Sequence, residues 1–196
     1  KEIFGESHLE TAISLNNLAI LSEAKGNLII AEDLSRQAAI IGEVNRDSHK
    51  NEYLSFAINY ARILFLNGKN SDSESLYYKV KNSYEQNDNF HTDQGYAQCL
   101  QGLAQLKLHS GQLEDAYELL NKSLQININL FGDSNHLICK NLIGIAHYHS
   151  LSGQFQESSI LLEQVLKICK ETFGEGHPEV AVALTHLGNL YFELSQ

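Results

Sequence analysis

The chain has 196 residues, with 14 Lys+Arg against 24 Asp+Glu, for a formal net charge of -10. The acidic excess is spread evenly, -5 over residues 1–98 and -5 over residues 99–196, with no basic tail, patch or arm, which argues against a nucleic-acid partner held by phosphate neutralisation. A hydrophobic content of 43% is enough to bury a core, yet no apolar run approaches the roughly 18–20 residues of a membrane-spanning helix, so neither disorder nor membrane insertion is expected.

Taken in chain order, apolar residues recur with a helical period over 9–25 and 28–45, then over 51–67 and 70–87. The same pattern covers 93–110 and 113–130, 135–152 and 155–172, and finally 178–194. The members of each pair are separated by Gly26, Gly68, Gly111 or Gly153, spaced 42, 43 and 42. Seven positions before each glycine stands a small residue: Ala19, Ala61, Ala104 and Ala146, with Gly188 equivalent before Ser195. A large residue precedes each of them, at Leu18, Tyr60, Leu103, Ile145 and Leu187. Five positions after each glycine comes another small one, Ala31, Ser73, Ala116 or Ser158. Small side chains at fixed places on two neighbouring helices let their axes cross closely. The unit is therefore helix, tight glycine turn, helix.

A second repeat lies between the units. Residues Lys170 to His177 closely match Lys1 to His8, and Phe131-Gly132-Asp133-Ser134-Asn135 is a third copy. In these, the glycine is expected to end the second helix in a left-handed conformation and the polar residues after it to cap the next helix. Pro178, the only proline, falls near a first helical turn, where a missing N–H costs little. The second unit is the weakest, because Asn70, Ser73 and Lys81 replace residues that are apolar or small elsewhere. The polar stretch 85–93 then breaks the register by one, so the least regular packing is expected there.

These elements give an all-α fold of four complete helix pairs plus a terminal helix. The units run over about 9–48, 49–92, 93–134, 135–176 and a partial 177–196, as one continuous domain of a longer polypeptide, since residue 1 is not Met. No signal peptide is visible, and three cysteines spaced 40 and 30 apart suggest neither a disulfide framework nor a metal knuckle. An intracellular, cytoplasmic setting is the simplest reading.

Helix pairs with small, large and Gly/Ala positions at these spacings look like tetratricopeptide repeats. The 42-residue period, Leu15-Asn16-Asn17-Leu18-Ala19 and Phe173-Gly174-Glu175-Gly176-His177-Pro178 together resemble the kinesin light chain subfamily, over essentially the whole chain. The resemblance implies a right-handed α-solenoid whose concave face is lined by the first helices and binds an extended peptide. The groove positions it implies are Asn16, Asn17, Ile20, Ile58, Asn59, Arg62, Gln98, Gln101, Gln105, Lys140, Ile143, His147, His186 and Asn189. At Asn17 and Asn59 related arrays carry an asparagine that holds peptide backbone; a carboxamide offers a donor and an acceptor together. The alternative is that Asn is merely tolerated on a solvated helix face. Gly102, Gly144 and His186 stand where the next such asparagines belong, and the two glycines predict an open groove floor that a bulky ligand group could approach. A basic clamp for a C-terminal carboxylate is not formed, because Gln98, Gly102, Val182 and His186 occupy its places and Arg62 and Lys140 are isolated.

Other chemistries find no constellation. His147 and His149 point to different faces, no H-E-x-x-H occurs, and no metal or other cofactor is expected. His147 and His186 are placed to approach each other on neighbouring helices, as a pH-sensitive pair or an adventitious metal site. Cys99, Cys139 and Cys169 read as small core hydrophobes. There is neither a phosphate-cradling loop nor a nucleophile elbow, and carboxylate pairs such as Glu114/Glu118 lie on solvated faces, so no enzyme is expected. The leading function is a protein–protein interaction scaffold that binds an extended peptide or partner helix in the groove. The alternative is an architectural, self-associating or regulatory array flanking a catalytic domain elsewhere. Leu184, Leu187, Leu190, Tyr191 and Phe192, expected to be exposed on the last helix, suggest an end-to-end homodimer, since solenoid ends need polar caps.

Overall fold

The computed structural model describes residues 8–86, 90–133 and 135–195. The first copy of the inter-unit motif, apart from His8, therefore lies outside the described residues, as do Asn87 to Asn89 and Ser134. Among the described residues there are nine α-helices and no strand. The chain divides into two compact units, residues 1–88 and 89–196, and the boundary falls inside the polar stretch where the period slips.

The first unit contains α1 (Leu9–Ala24), α2 (Leu28–Val44), α3 (Lys50–Leu66) and α4 (Asn70–Glu85). Each helix packs on the next, and α1 also touches α3, the neighbour pattern of a repeat array. Ala12, Leu15, Ala38 and Phe56 form one cluster, and Ala19, Ala31 and Ile63 another. The small residues of the repeat stand at the crossings: Ala19, Ala31 and Ala61 are fully buried. Ser73 does not weaken its repeat, because its buried hydroxyl donates to the Ala61 carbonyl at 2.7 Å.

The second unit contains α5 (Gln94–His109), α6 (Leu113–Phe131), α7 (Cys139–Leu151), α8 (Phe155–Phe173) and α9 (Pro178–Leu194). Consecutive helices again pack together, with α5 also against α7. One core cluster joins Ala104, Ala116, Leu120 and Ile145; a larger one runs from Ile138 and Leu142 through Val165 and Ile168 to Val180. Leu187 and Leu190 are not part of an exposed end, because α9 turns them inward to pack with Ala146 and Leu162.

The expected turn chemistry is present. Gly26, Gly68, Gly111 and Gly153 take φ of 74–76°, and the residue after each donates back five residues, as Asn27 does to Ser22 at 2.9 Å. Gly132 and Gly174 depart from the expected left-handed helical cap. Their φ is positive but ψ is 166° and 161°, an extended region open essentially to glycine alone. His8 and His177 cap α1 and α9, each Nδ1 accepting an N–H two residues on at 3.2 Å. Asp93 caps α5 in the same way at 2.7 Å, after a 3-10 turn over Phe90–Thr92. The helix expected from 135 begins instead as a 3-10 turn, His136–Ile138. Asn135 accepts the Leu137 N–H at 2.9 Å and tightens that entry.

Candidate functional site

In the first unit the candidate groove residues lie on α1 and α3, and they do not stand equally free. Asn17 and Ile20 are exposed. Asn16 is only 7% exposed, and its Oδ1 accepts from Asn59 Nδ2 at 3.0 Å. Ile58 is buried. Arg62 pairs with Glu23 near the end of α1; the other carboxylate oxygen of Glu23 is buried without a hydrogen-bond partner. The two asparagines expected to act alike thus differ. Asn17 stands open to solvent, whereas Asn59 spends a donor on Asn16.

In the second unit the candidates lie on α5, α7 and α9. Gln98, Gln105, Lys140, His147 and Asn189 are exposed, while Gln101, Ile143 and His186 are half-buried. Gln101 donates to Asn141 Oδ1 at 2.6 Å, and Asn127 donates to the same oxygen at 2.9 Å. Asn141 in turn donates to the Leu120 carbonyl at 3.4 Å and is fully buried. Sequence reasoning passed over this residue, whose equivalents in the other units are Ser14, Phe56, Cys99 and Ala183. The open floor expected at Gly144 is absent. A Cβ there would lie 2.6 Å from Leu120 Cδ2, so the glycine makes room for the preceding second helix. Gly102 is likewise buried.

Burial, and then the His147 charge, hold the His186 imidazole below its ordinary 6.5. Nearby, Ser150 donates to Glu193 at 2.5 Å, a side-chain link between α7 and α9. Cys139 and Cys169, separated by 30 residues, meet in the core as free thiols. Burial first, and the neighbouring Cys169 second, push Cys139 up to about 12, so it is held as the unreactive thiol. Among the described residues no three His, Cys, Asp or Glu side chains converge as a metal site. Nor is any described helix long and apolar enough to cross a membrane.

The fold gathers Arg46, Lys50 and Lys79, with Asp47, around one cavity of about 530 Å³. The loop after α2, the start of α3 and the far end of α4 meet there, and a linear scan does not register cations 33 residues apart.

Comparison with known proteins places the fold among solved repeat arrays. The family described as Tetratricopeptide repeat matches residues 96–171 and 137–196, together just over half of the chain. The fold is similar to the crystal structure of a putative kinesin light chain of nearly identical TPR-like repeats from Podosopora anserina. That likeness has a TM-score of 0.69 and 24% identity, over 96% of this chain and 89% of that one. A single-substitution variant of the same protein gives 0.71 at 24% identity, with the same coverage. BtubC (BKLC) from P. vanneervenii gives 0.73 at 16% identity, over 92% of this chain and 72% of that one. No curated protein matches the sequence. These likenesses carry the fold, an α-solenoid of helical repeats.

Proposed function

The chain belongs to the tetratricopeptide repeat family, whose members are protein-interaction scaffolds, and from that premise we propose that its first helices bind an extended peptide. The observation that carries this reading is that each unit leaves uncharged groups of its first helices open to solvent: Asn17 and Ile20 in the first unit, Gln98, Gln105 and Asn189 in the second. A carboxamide can meet both the N–H and the C=O of an extended backbone, which suits a ligand of mixed polarity. Lys140 adds a modest positive character at α7, which favours an occasional acidic side chain. Asn16 and Ile58 are buried, and Asn59, Arg62, Gln101, Ile143 and His186 are half-buried. None of these residues is assigned a catalytic role.

Peptide-display selection on the purified chain tests this. The control is Asn17→Ala with Gln105→Ala, both on exposed side chains. Asn59→Ala is a poorer control, because it strips a donor from buried Asn16 and so perturbs the fold. Each lost amide contact is worth about 0.5–1.5 kcal/mol, so the double variant should bind the selected peptides on the order of ten-fold more weakly. Unchanged affinity for every selected peptide, or no enrichment by the folded chain, would sink the proposal. A second reading, self-association, is favoured by the exposed Leu184, Tyr191 and Phe192 of α9.

A further inference from the structure

We propose that the cavity bounded by Arg46, Lys50, Tyr53, Lys79, Asn82 and Ser83 in the first unit binds a phosphate-type oxyanion. Its electrostatics run against those of the chain. The net charge is -10, yet three of the residues lining this cavity are cations and only Asp47 is an anion.

Two of the three cations have a carboxylate partner, but in exposed pairs. Arg46 pairs with the adjacent Asp47 at 3.7 Å, with side chains 57% and 99% exposed, a separation and exposure at which an ion pair is worth little. Lys50 donates to the Ser83 carbonyl at 2.9 Å, which fixes its ammonium at the cavity without cancelling its charge. Lys79 pairs with Glu43 at 2.6 Å in an exposed contact that a multivalent anion can outbid. Asp47 and Glu43 are the charges that oppose such a ligand here.

An independent observation points to a ligand. Tyr53 is 5% exposed, lines the same cavity, and its buried hydroxyl donates to no acceptor. Lys79 Nζ stands 6.0 Å from the ring centroid. A hydrogen bond to Glu43 first, and a weaker one to the Tyr53 phenol oxygen after it, hold that ammonium above its ordinary pKa, yet the phenol O–H itself finds no acceptor. Buried hydroxyls are ordinarily satisfied, and an unused donor beside three cations is suited to an acceptor brought from outside. A phosphate monoester carries about -1.5 to -2 at neutral pH and three acceptor oxygens, which match a guanidinium fork, two ammoniums and a phenol O–H. The first turn of α3, which begins at Lys50 without a side-chain cap, adds its positive end. At about 530 Å³ the cavity exceeds a bare phosphate ion and accommodates the side chain or small molecule that carries one.

The test is an amide NMR titration of the whole chain at constant ionic strength, with chloride as reference. The probes are inorganic phosphate and N-acetyl-phosphoserine amide. Saturable shifts confined to residues 46–53 and 79–86 are expected. Arg46→Gln or Lys50→Gln should weaken binding at least five-fold and Tyr53→Phe about three-fold, with Lys122→Gln, an exposed lysine on α6, as the unchanged control. Tyr53→Phe removes only a hydroxyl that donates to no acceptor, so it keeps the result interpretable if a lysine variant is unstable. Tighter binding of the phosphoserine probe assigns the site to a phosphorylated side chain, and equal or tighter binding of inorganic phosphate assigns it to a free phosphate. Shifts that do not saturate, that spread over surface lysines, or that persist equally in Arg46→Gln and Tyr53→Phe overturn the proposal.

Discussion

Asn16 and Asn59, 43 residues apart, satisfy each other across α1 and α3, and the consequence is a division of labour among residues of one type. A buried carboxamide without a partner costs about 1–3 kcal/mol, so the fold takes up Asn59 and leaves Asn17 to solvent. Asn141 extends the point: its one oxygen receives donors from both Gln101 and Asn127. The repeat period made the positions of these amides legible, but not which of them are paired, because pairing depends on which helix lies opposite. His186 gives a residue-scale prediction. Its folded-state pKa lies below 6.5, through burial first and the His147 charge second. Between that lowered value and 6.5 the unfolded chain binds a proton that the folded chain refuses, so stability falls as pH drops through this window; above it the group contributes nothing. His186→Gln should therefore flatten the fall in Tm between about pH 7 and about pH 5, read by thermal unfolding across that range. An identical pH profile in the variant would show that His186 does not carry the effect.

At the level of elements, the helices follow from apolar periodicity and glycine punctuation, and their observed ends agree with expectation except at a few entries. Those exceptions are local. Asn135 captures the Leu137 N–H and winds a 3-10 turn before α7, a choice of hydrogen bond that periodicity does not encode. Closeness of crossing was legible only where the repeat advertised it. Gly42 lies outside the repeated small positions, yet α2 and α3 meet there: an added Cβ would sit 2.8 Å from the Phe56 ring and 3.2 Å from the Tyr53 Cα. Replacement by alanine should raise helix propensity by about 1 kcal/mol but cost about 1–3 kcal/mol in overpacking against a ring and a backbone that cannot retreat. We expect Gly42→Ala to be net destabilising by about 1 kcal/mol, seen as a lower urea midpoint at an unchanged slope. A stabilised variant would mean that α2 and α3 can slide apart without loss.

Over the whole molecule, the last helix carries the self-association prediction. Leu184, Tyr191, Phe192 and Leu194 on α9 are each at least 50% exposed, an apolar surface that monomers seldom leave uncovered. Light scattering across a concentration series should show a mass that rises above the monomer, and Phe192→Glu should restore the monomer; a concentration-independent monomer mass for the unmodified chain would remove self-association from consideration. Charge offers the sharper lesson at this scale. An even -5 in each half of the sequence says nothing of where Arg46, Lys50 and Lys79 meet, because α4 folds back along α3 and brings distant cations to one cavity. By itself the sequence determined the helix pairs, their glycine turns, the capping of α1 and α9 and the family, since these depend on spacing along one chain and on local backbone chemistry. Only the tertiary structure decided that Gly144 accommodates Leu120, that Cys139 meets Cys169, that Asn59 is spent on Asn16, and that the Tyr53 hydroxyl finds no acceptor among cations. Each of these depends on side chains far apart in sequence, set by how neighbouring helices cross, and a repeat period fixes the crossing without naming what stands on either side of it.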